Sequence, residues 1–154
     1  PWESFFLQTL FLPTSSIMKK EILIIPFFGW AISRLKPISI NRKLKMESLR
    51  KVIAEGGERI QEGYAVLVFP EGTRKNPKDG IGKFGNSCGV LAANESVPII
   101  PICHNSGKYW LNKSFKKKSG DISIVVGKPL YGSDPKKLTE ESRSWIKKTY
   151  SIIG

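Results

Sequence analysis

The chain has 154 residues, 40% of them hydrophobic, which is enough for one ordinary domain with one core and excludes both a disordered segment and a bundle of membrane helices. Lys and Arg number 25 against 13 Asp and Glu; the net charge of +12 raises affinity for polyanions, with nucleic acid and an anionic lipid surface as the two candidates. Only Cys88 and Cys103 occur, with neither metal spacing nor a C-x-x-C pair, which argues against a disulfide scaffold, so two buried thiols in a reducing compartment are expected.

The opening stretch PWESFFLQTLFLP has neither the positive start nor the small-residue cleavage site of a signal peptide. Trp2, Phe5, Phe6, Leu7 and Leu10 form a helical stripe that Pro13 ends, and a chain opening on Pro-Trp-Glu inside that stripe is expected to be cut from something longer. A short extended piece, SSIMK, follows. The run ILIIPFFGWAI, Ile22 to Ile32, predicts a second apolar helix kinked at Pro26; it is too short to cross a bilayer but able to lie against lipid. PISIN, Pro37 to Asn41, alternates like a strand, and Lys43 to Gly63 carries Leu49, Val52, Ile53 and Ile60 at helical intervals, with Gly56 and Gly57 weakening its middle.

YAVLVFP, Tyr64 to Pro70, is a continuous apolar run suited to a strand covered on both faces, and its end delivers Glu71-Gly72-Thr73-Arg74. A Lys-, Asn-, Pro- and Gly-rich loop runs to about Gly85. NSCGVLAANE then predicts a helix, VPIIPICH a buried strand, KSFKKKSG a basic linker and DISIVVGKPL a further strand. Thr139 to Ile152 predicts a helix capped by Thr139, with Glu140 and Glu141 in its first turn. This order of strands and helices predicts an α/β fold in which a mixed, largely parallel sheet is flanked by helices, in a single domain over residues 1–154.

In such sheets ligands gather at the C-terminal ends of strands, where the Glu71–Arg74 stretch falls. Gly72 permits close backbone approach, Thr73 offers a donor, and Arg74 presents the planar fork that grips phosphate through two charged hydrogen bonds. An ordinary turn with Glu71 and Arg74 paired on the surface is the plainer reading of the same residues.

VFPEGTRK, the VPIIPI block at Val97 to Ile102, and the upstream KKEILIIPFFGW and ISINR together resemble the motif series of the glycerolipid acyltransferases, in order over nearly the whole chain. The resemblance is strongest to bacterial 1-acylglycerol-3-phosphate acyltransferases and implies their glycerol-3-phosphate acyltransferase-like fold. It implies transfer of an acyl group from an acyl thioester, acyl-CoA or acyl-ACP, to the 2-hydroxyl of lysophosphatidic acid, with that thioester as cosubstrate and no cofactor or metal. By the same resemblance Glu71, Gly72, Thr73 and Arg74 bind the glycerol phosphate, with Arg42 closing the second block and Lys19 a further phosphate contact. Asn41 stands where the family usually has aspartate, which removes a negative charge beside Arg42. Pro98 and Pro101 fall in a block read as a core strand shaping the acyl pocket.

The family's catalytic signature is H-x-x-x-x-D or H-x-x-x-x-E, whose histidine deprotonates the acceptor hydroxyl while the acid orients the ring. PWESFFLQ matches the stretch holding the acid, so the resemblance makes Glu3 that acid and sets the histidine three residues before Pro1. His104, the sole histidine of the chain, has Tyr109 five positions on in place of an acid and is expected to be a strand-end residue. The chain as written is therefore expected to bind acceptor and turn over little. The resemblance also implies an N-terminal transmembrane anchor and a place at the cytoplasmic face of the bacterial inner membrane. A nucleic-acid-binding module would suit +12 and the run Lys116-Lys117-Lys118, but no aromatic-basic stacking motif or recognition helix accompanies them. An anionic membrane surface and a lysophospholipid are the expected partners, with a lipid-binding relative lacking catalysis as the remaining alternative.

Overall fold

Three hydroxyl residues followed by a hydrophobic tail, Thr14-Ser15-Ser16-Ile17-Met18-Lys19, make the central strand of the first sheet in a computed structural model that describes residues 6–41, 43–73, 79–110 and 117–154. The chain divides into two compact units, Glu3–Phe69 and Pro70–Gly154.

In the first unit, β1 (Thr14–Lys19) lies between β2 (Ile38–Ile40) and β3 (Ala65–Leu67), all parallel. The pairing is stepped: Thr14, Ser15 and Ser16 face Ala65, Val66 and Leu67, while Ile17, Met18 and Lys19 face Ile38, Ser39 and Ile40. Of the predicted opening helix, Phe6 is α-helical and Leu7–Thr9 make a 3-10 turn with Leu7 buried, while Trp2 and Phe5 lie outside the described residues. The second apolar helix is broken where a kink was predicted: a 3-10 turn spans Lys20–Ile24 and α1 spans Phe28–Ser33. Pro26 has no N–H to continue the ladder and Phe27 turns to φ +61°, so the chain doubles back. Gly29 makes the reversal tight, because a Cβ there would run into the Leu23 carbonyl.

The long helix α2 (Lys45–Gln61) packs against β2 and β3, burying Val52. Gly56 and Gly57 do not interrupt it; both are buried in its inner face. Lys36, in the left-handed region at φ +47°, joins α1 to β2. Its carbonyl accepts from Ser15 Oγ (2.7 Å) and Arg59 Nε (3.2 Å), and its Nζ donates to Glu62 (2.9 Å). That ion pair raises the Lys36 ammonium and lowers the Glu62 carboxyl. Ser15 is fully buried with its bond made; the Thr14 and Ser16 hydroxyls, also buried, find no partner among the described residues. β3 is shorter than its apolar run, and Val66 and Leu67 are only half-buried.

The second unit holds α3 (Ser87–Glu95), β4 (Ile102–His104), β5 (Ile124–Val126) and α4 (Pro135–Ile153). β4 and β5 are antiparallel, with Cys103 opposite Val125, and a bridge between Ile99 and Leu130 extends them. The VPIIPI block is thus a strand in only its last part, since Pro98 and Pro101 have no N–H to donate to a ladder. Helix α4 packs on α3 and β4, burying Leu138, Thr139 and Ser142. It begins earlier than predicted: Asp134 is the N-cap, its carboxylate accepting from Lys136 N (2.8 Å) and Lys137 N (3.2 Å), with Pro135 in the first turn. Thr139 is instead an interior residue whose hydroxyl donates to the Pro135 carbonyl (2.8 Å). Gly89 of α3 lies where a Cβ would meet that same carbonyl and the Thr139 hydroxyl, which lets the two helices approach closely.

Candidate functional site

Parallel pairing brings the ends of β1 and β2 to one edge of the first sheet. Lys19 ends β1 opposite Ile40, and Asn41 follows directly, so Lys19 and the stretch leading into Arg42 share that edge. Arg42 itself lies outside the described residues, as does Glu3. Asn41 fixes the turn into α2, its Oδ1 accepting from Lys43 N (3.1 Å) and its carbonyl accepting from Ser48 Oγ (2.6 Å). An asparagine supplies the same acceptor oxygen as an aspartate there and dispenses with the charge.

Beside this edge lies a cleft of about 270 Å³ lined by Lys20, Ser39, Asn41, Leu44, Glu47, Ser48 and Lys51. Lys51 Nζ donates to Ser39 Oγ (3.2 Å) and stands 3.5 Å from Glu55. Two lysines against Glu47 make the wall weakly cationic. Sequence reading missed Lys20, Ser39, Ser48 and Lys51; the four-residue spacing of Glu47 and Lys51 on a predicted helix was the one available signal.

In the second unit, Glu71 is half-buried, Thr73 is exposed, and Gly72 between them has φ +67°. Among the described residues nothing lies within 4 Å of where a Cβ at Gly72 would stand, so the positive φ is the feature of the folded backbone that favours glycine here. Arg74 lies outside the described residues. The loop that starts here is closed at its base by Gly85 N donating to the Pro70 carbonyl (2.8 Å). Arg143 of α4 holds its returning limb, Nε donating to the Gly82 carbonyl (2.8 Å) while a terminal nitrogen pairs with Glu140 (3.0 Å). Tyr150 of α4 is a residue that no motif or spacing singles out. Burial first, then the neighbouring Cys103 and the Glu71 carboxylate, push its phenol above the usual range, which sets Glu71 within electrostatic reach of α4.

His104 is the last residue of β4, its Nδ1 3.0 Å from the Oγ of Ser106, which is 2% exposed. Cys103 is buried and Cys88 partly so, both free thiols, and burial raises both, Cys103 to about 11. Among the described residues no cluster of three or more His, Cys, Asp or Glu could hold a metal ion, and no helix is long and apolar enough to cross a membrane.

Known proteins resemble this chain in sequence and in fold. The chain is 39% identical to the 1-acyl-sn-glycerol-3-phosphate acyltransferase of Pseudomonas aeruginosa, over 99% of this chain and 61% of that protein. It is 33% identical to the Escherichia coli enzyme of the same description, over 79% of this chain and 51% of that one, and 32% identical to a chloroplastic one of Brassica napus, over 90% and 40%. It thus spans less than two-thirds of the length of each of these relatives. The crystal structure of the 1-acyl-sn-glycerophosphate acyltransferase of Thermotoga maritima has the same fold, with a TM-score of 0.72 at 24% identity, over 91% of this chain and 56% of that chain. Residues 4–105 match the acyltransferase family model, a span that takes in β1 to β4, the Asn41 turn and the Glu71–Arg74 block. By sequence match and by fold, this chain belongs to the acyltransferase family.

Proposed function

We propose that the chain is the acyltransferase domain of an enzyme that esterifies the 2-hydroxyl of 1-acyl-sn-glycerol 3-phosphate, giving phosphatidic acid for phospholipid synthesis. The acceptor oxygen attacks the carbonyl of an acyl thioester carried by coenzyme A or acyl carrier protein. A C–O bond forms, the C–S bond breaks, and the hydroxyl proton is taken up so that the carrier leaves as a thiol. Glycerol phosphate is assigned to Arg74, Arg42 and Lys19, with Glu71 and Thr73 shaping the turn. Glu3 is assigned the acid of the H-x-x-x-x-E signature, orienting an imidazole that His104 does not provide. The reaction is assigned to the cytoplasmic face of a bacterial inner membrane.

The observation that carries this reading is the 39% identity sustained over 99% of the chain, together with a Gly72 whose φ of +67° suits the turn that presents Glu71 and Thr73. An anion site for a phosphate monoester also makes chemical sense of a +12 chain, whose sequence sets that charge beside no aromatic-basic stacking motif of the kind a nucleic-acid face uses. The test measures binding of short-chain lysophosphatidic acid to the chain, and thiol release from acyl-CoA and from acyl-ACP in the presence and absence of that acceptor. Binding that glycerol 3-phosphate competes and Arg74→Ala weakens is expected. Binding indifferent to Arg74→Ala but abolished by random duplex DNA at the same salt sinks the proposal.

A further inference from the structure

The reversal around Pro26 leaves apolar side chains where a water-facing turn would not keep them. Phe27 is 79% exposed, Ile24 72% and Trp30 66%, and Ile25, Phe28 and Leu35 are exposed beside them. Scattered exposed apolar residues are ordinary, but these six fall within twelve residues of one doubled-back segment. The segment is also well fixed. Gly29 seats α1 directly on the Leu23 carbonyl, Phe27 and Trp30 stand edge to face with ring centroids 5.3 Å apart, and Phe27 is held at a positive φ that a bulky residue adopts only when its surroundings require it. Flanking these residues in the chain, Lys19, Lys20 and Arg34 are exposed, against Glu21 as the one exposed acid of the segment.

We propose that the Ile24–Leu35 reversal is a membrane-docking wedge, with Phe27 and Trp30 seated in the acyl boundary of an anionic bilayer and Lys20 and Arg34 against its headgroups. The occupant follows from charge and chemistry together: exposed aromatic residues flanked by exposed cations match an anionic lipid interface, where tryptophan is enriched and basic residues gain from the surface potential. A second copy of the chain would bring the same cations against one another. The inference goes beyond the assigned reaction. It explains how an acceptor that is itself a lipid could be met at the bilayer without leaving it.

Vesicle sedimentation tests it on the chain with no acyl donor or acceptor present, so its outcome is independent of whether the acyl transfer is correctly assigned. Binding to phosphatidylcholine vesicles is expected to rise when phosphatidylglycerol is added. Phe27→Ser with Trp30→Ser is expected to lower it by about tenfold or more, since burial of either side chain is worth at least that factor. Lys20→Glu with Arg34→Glu is expected to abolish the preference for phosphatidylglycerol, and Leu12→Ser, 81% exposed but outside the wedge, to change nothing. Lipids brominated in the acyl chain are expected to quench a part of the chain's tryptophan fluorescence that Trp30→Phe lacks, a readout that keeps an aromatic ring and the fold. Quenching unchanged in Trp30→Phe overturns the proposal. So does a wild-type dimer that Phe27→Ser with Trp30→Ser dissociates while vesicle binding stays the same.

Discussion

Replacing Gly72 separates backbone conformation from steric room in the Glu71–Arg74 block. At φ +67° with nothing near its missing Cβ among the described residues, Gly72→Ala meets no clash with them; its cost is the left-handed backbone, about 1–2 kcal/mol for an L-residue. Valine, branched at Cβ, should cost more, and asparagine, which visits the left-handed region readily, should cost less than alanine. Gly89 supplies the contrast, because a Cβ there meets the Pro135 backbone carbonyl, and overpacking of that kind costs about 1–3 kcal/mol and grows with side-chain size. The order Asn, Ala, Val from mildest to worst at Gly72 should therefore give way at Gly89 to Ala milder than Asn. Urea unfolding and calorimetric titration with lysophosphatidic acid read the two halves of the effect. If the turn holds its shape, the strain appears as lost stability; if the turn relaxes locally, it appears as a binding loss of about 5- to 30-fold, the same energy expressed as a ratio. Gly72→Val matching the parent in both stability and binding would refute the reasoning, as would Gly72→Asn proving as damaging as valine.

The buried hydroxyls of β1 should divide by whether their bonds are made: Ser15→Ala is expected to cost about 1 kcal/mol in denaturant unfolding, and Ser16→Ala to be neutral or stabilising, since it removes a buried group that has no partner among the described residues. Asp134→Ala should cost about 1 kcal/mol through the lost N-cap, with the helical circular-dichroism signal showing fraying at the start of α4. Cys103 has a folded pKa of about 11 against an ordinary 9.0, so between those values the unfolded chain has lost a proton that the folded chain keeps. That contribution to stability is complete below pH 9.0 and is lost as the pH rises toward 11; Cys103→Ala should flatten the decline, and a slope identical in both proteins would remove the assigned cause. Glu71→Gln should let the Tyr150 phenol titrate at lower pH, read by its ultraviolet absorbance, because one of the charges opposing its ionisation is gone. In an active protein containing this chain, His104→Gln should fall far short of the roughly 100- to 10,000-fold loss that removing a general base brings.

The order of elements was legible because each has a periodic apolar signal and a punctuating residue: the alternation of Pro37 to Asn41, the helical spacing of Val52 and Ile60, the glycines and prolines between them. Extents were less so. YAVLVFP has the composition of a long strand, but ladder length depends on what lies alongside, and β1 offers β3 only three positions. Thr139 looked like a cap because acids follow it, while Asp134-Pro135, the stronger pairing of N-cap and first-turn proline, stands a turn earlier. The Glu71–Arg74 block was visible in sequence as chemistry. Its dependence on a positive φ was not, since a glycine's reason, space or conformation, is a property of the folded backbone. Tyr150 was invisible for a related reason: only the packing of α4 brings it near Cys103 and Glu71, residues far from it along the chain.

The stepped pairing of β1 gives that strand two independent halves. Since none of its residues is laddered on both sides, loosening β3 would break the ladder of Thr14, Ser15 and Ser16, with Ser15 still held through its hydroxyl to the Lys36 carbonyl, and leave the Ile17–Lys19 rungs with β2 intact. Lys19 can therefore keep its register against Ile40 while the strand that feeds the Glu71 turn shifts or frays. Amide exchange should then show two separate opening events along a single six-residue strand, so that β1 behaves as a coupling with slack in it and not as a rigid bar.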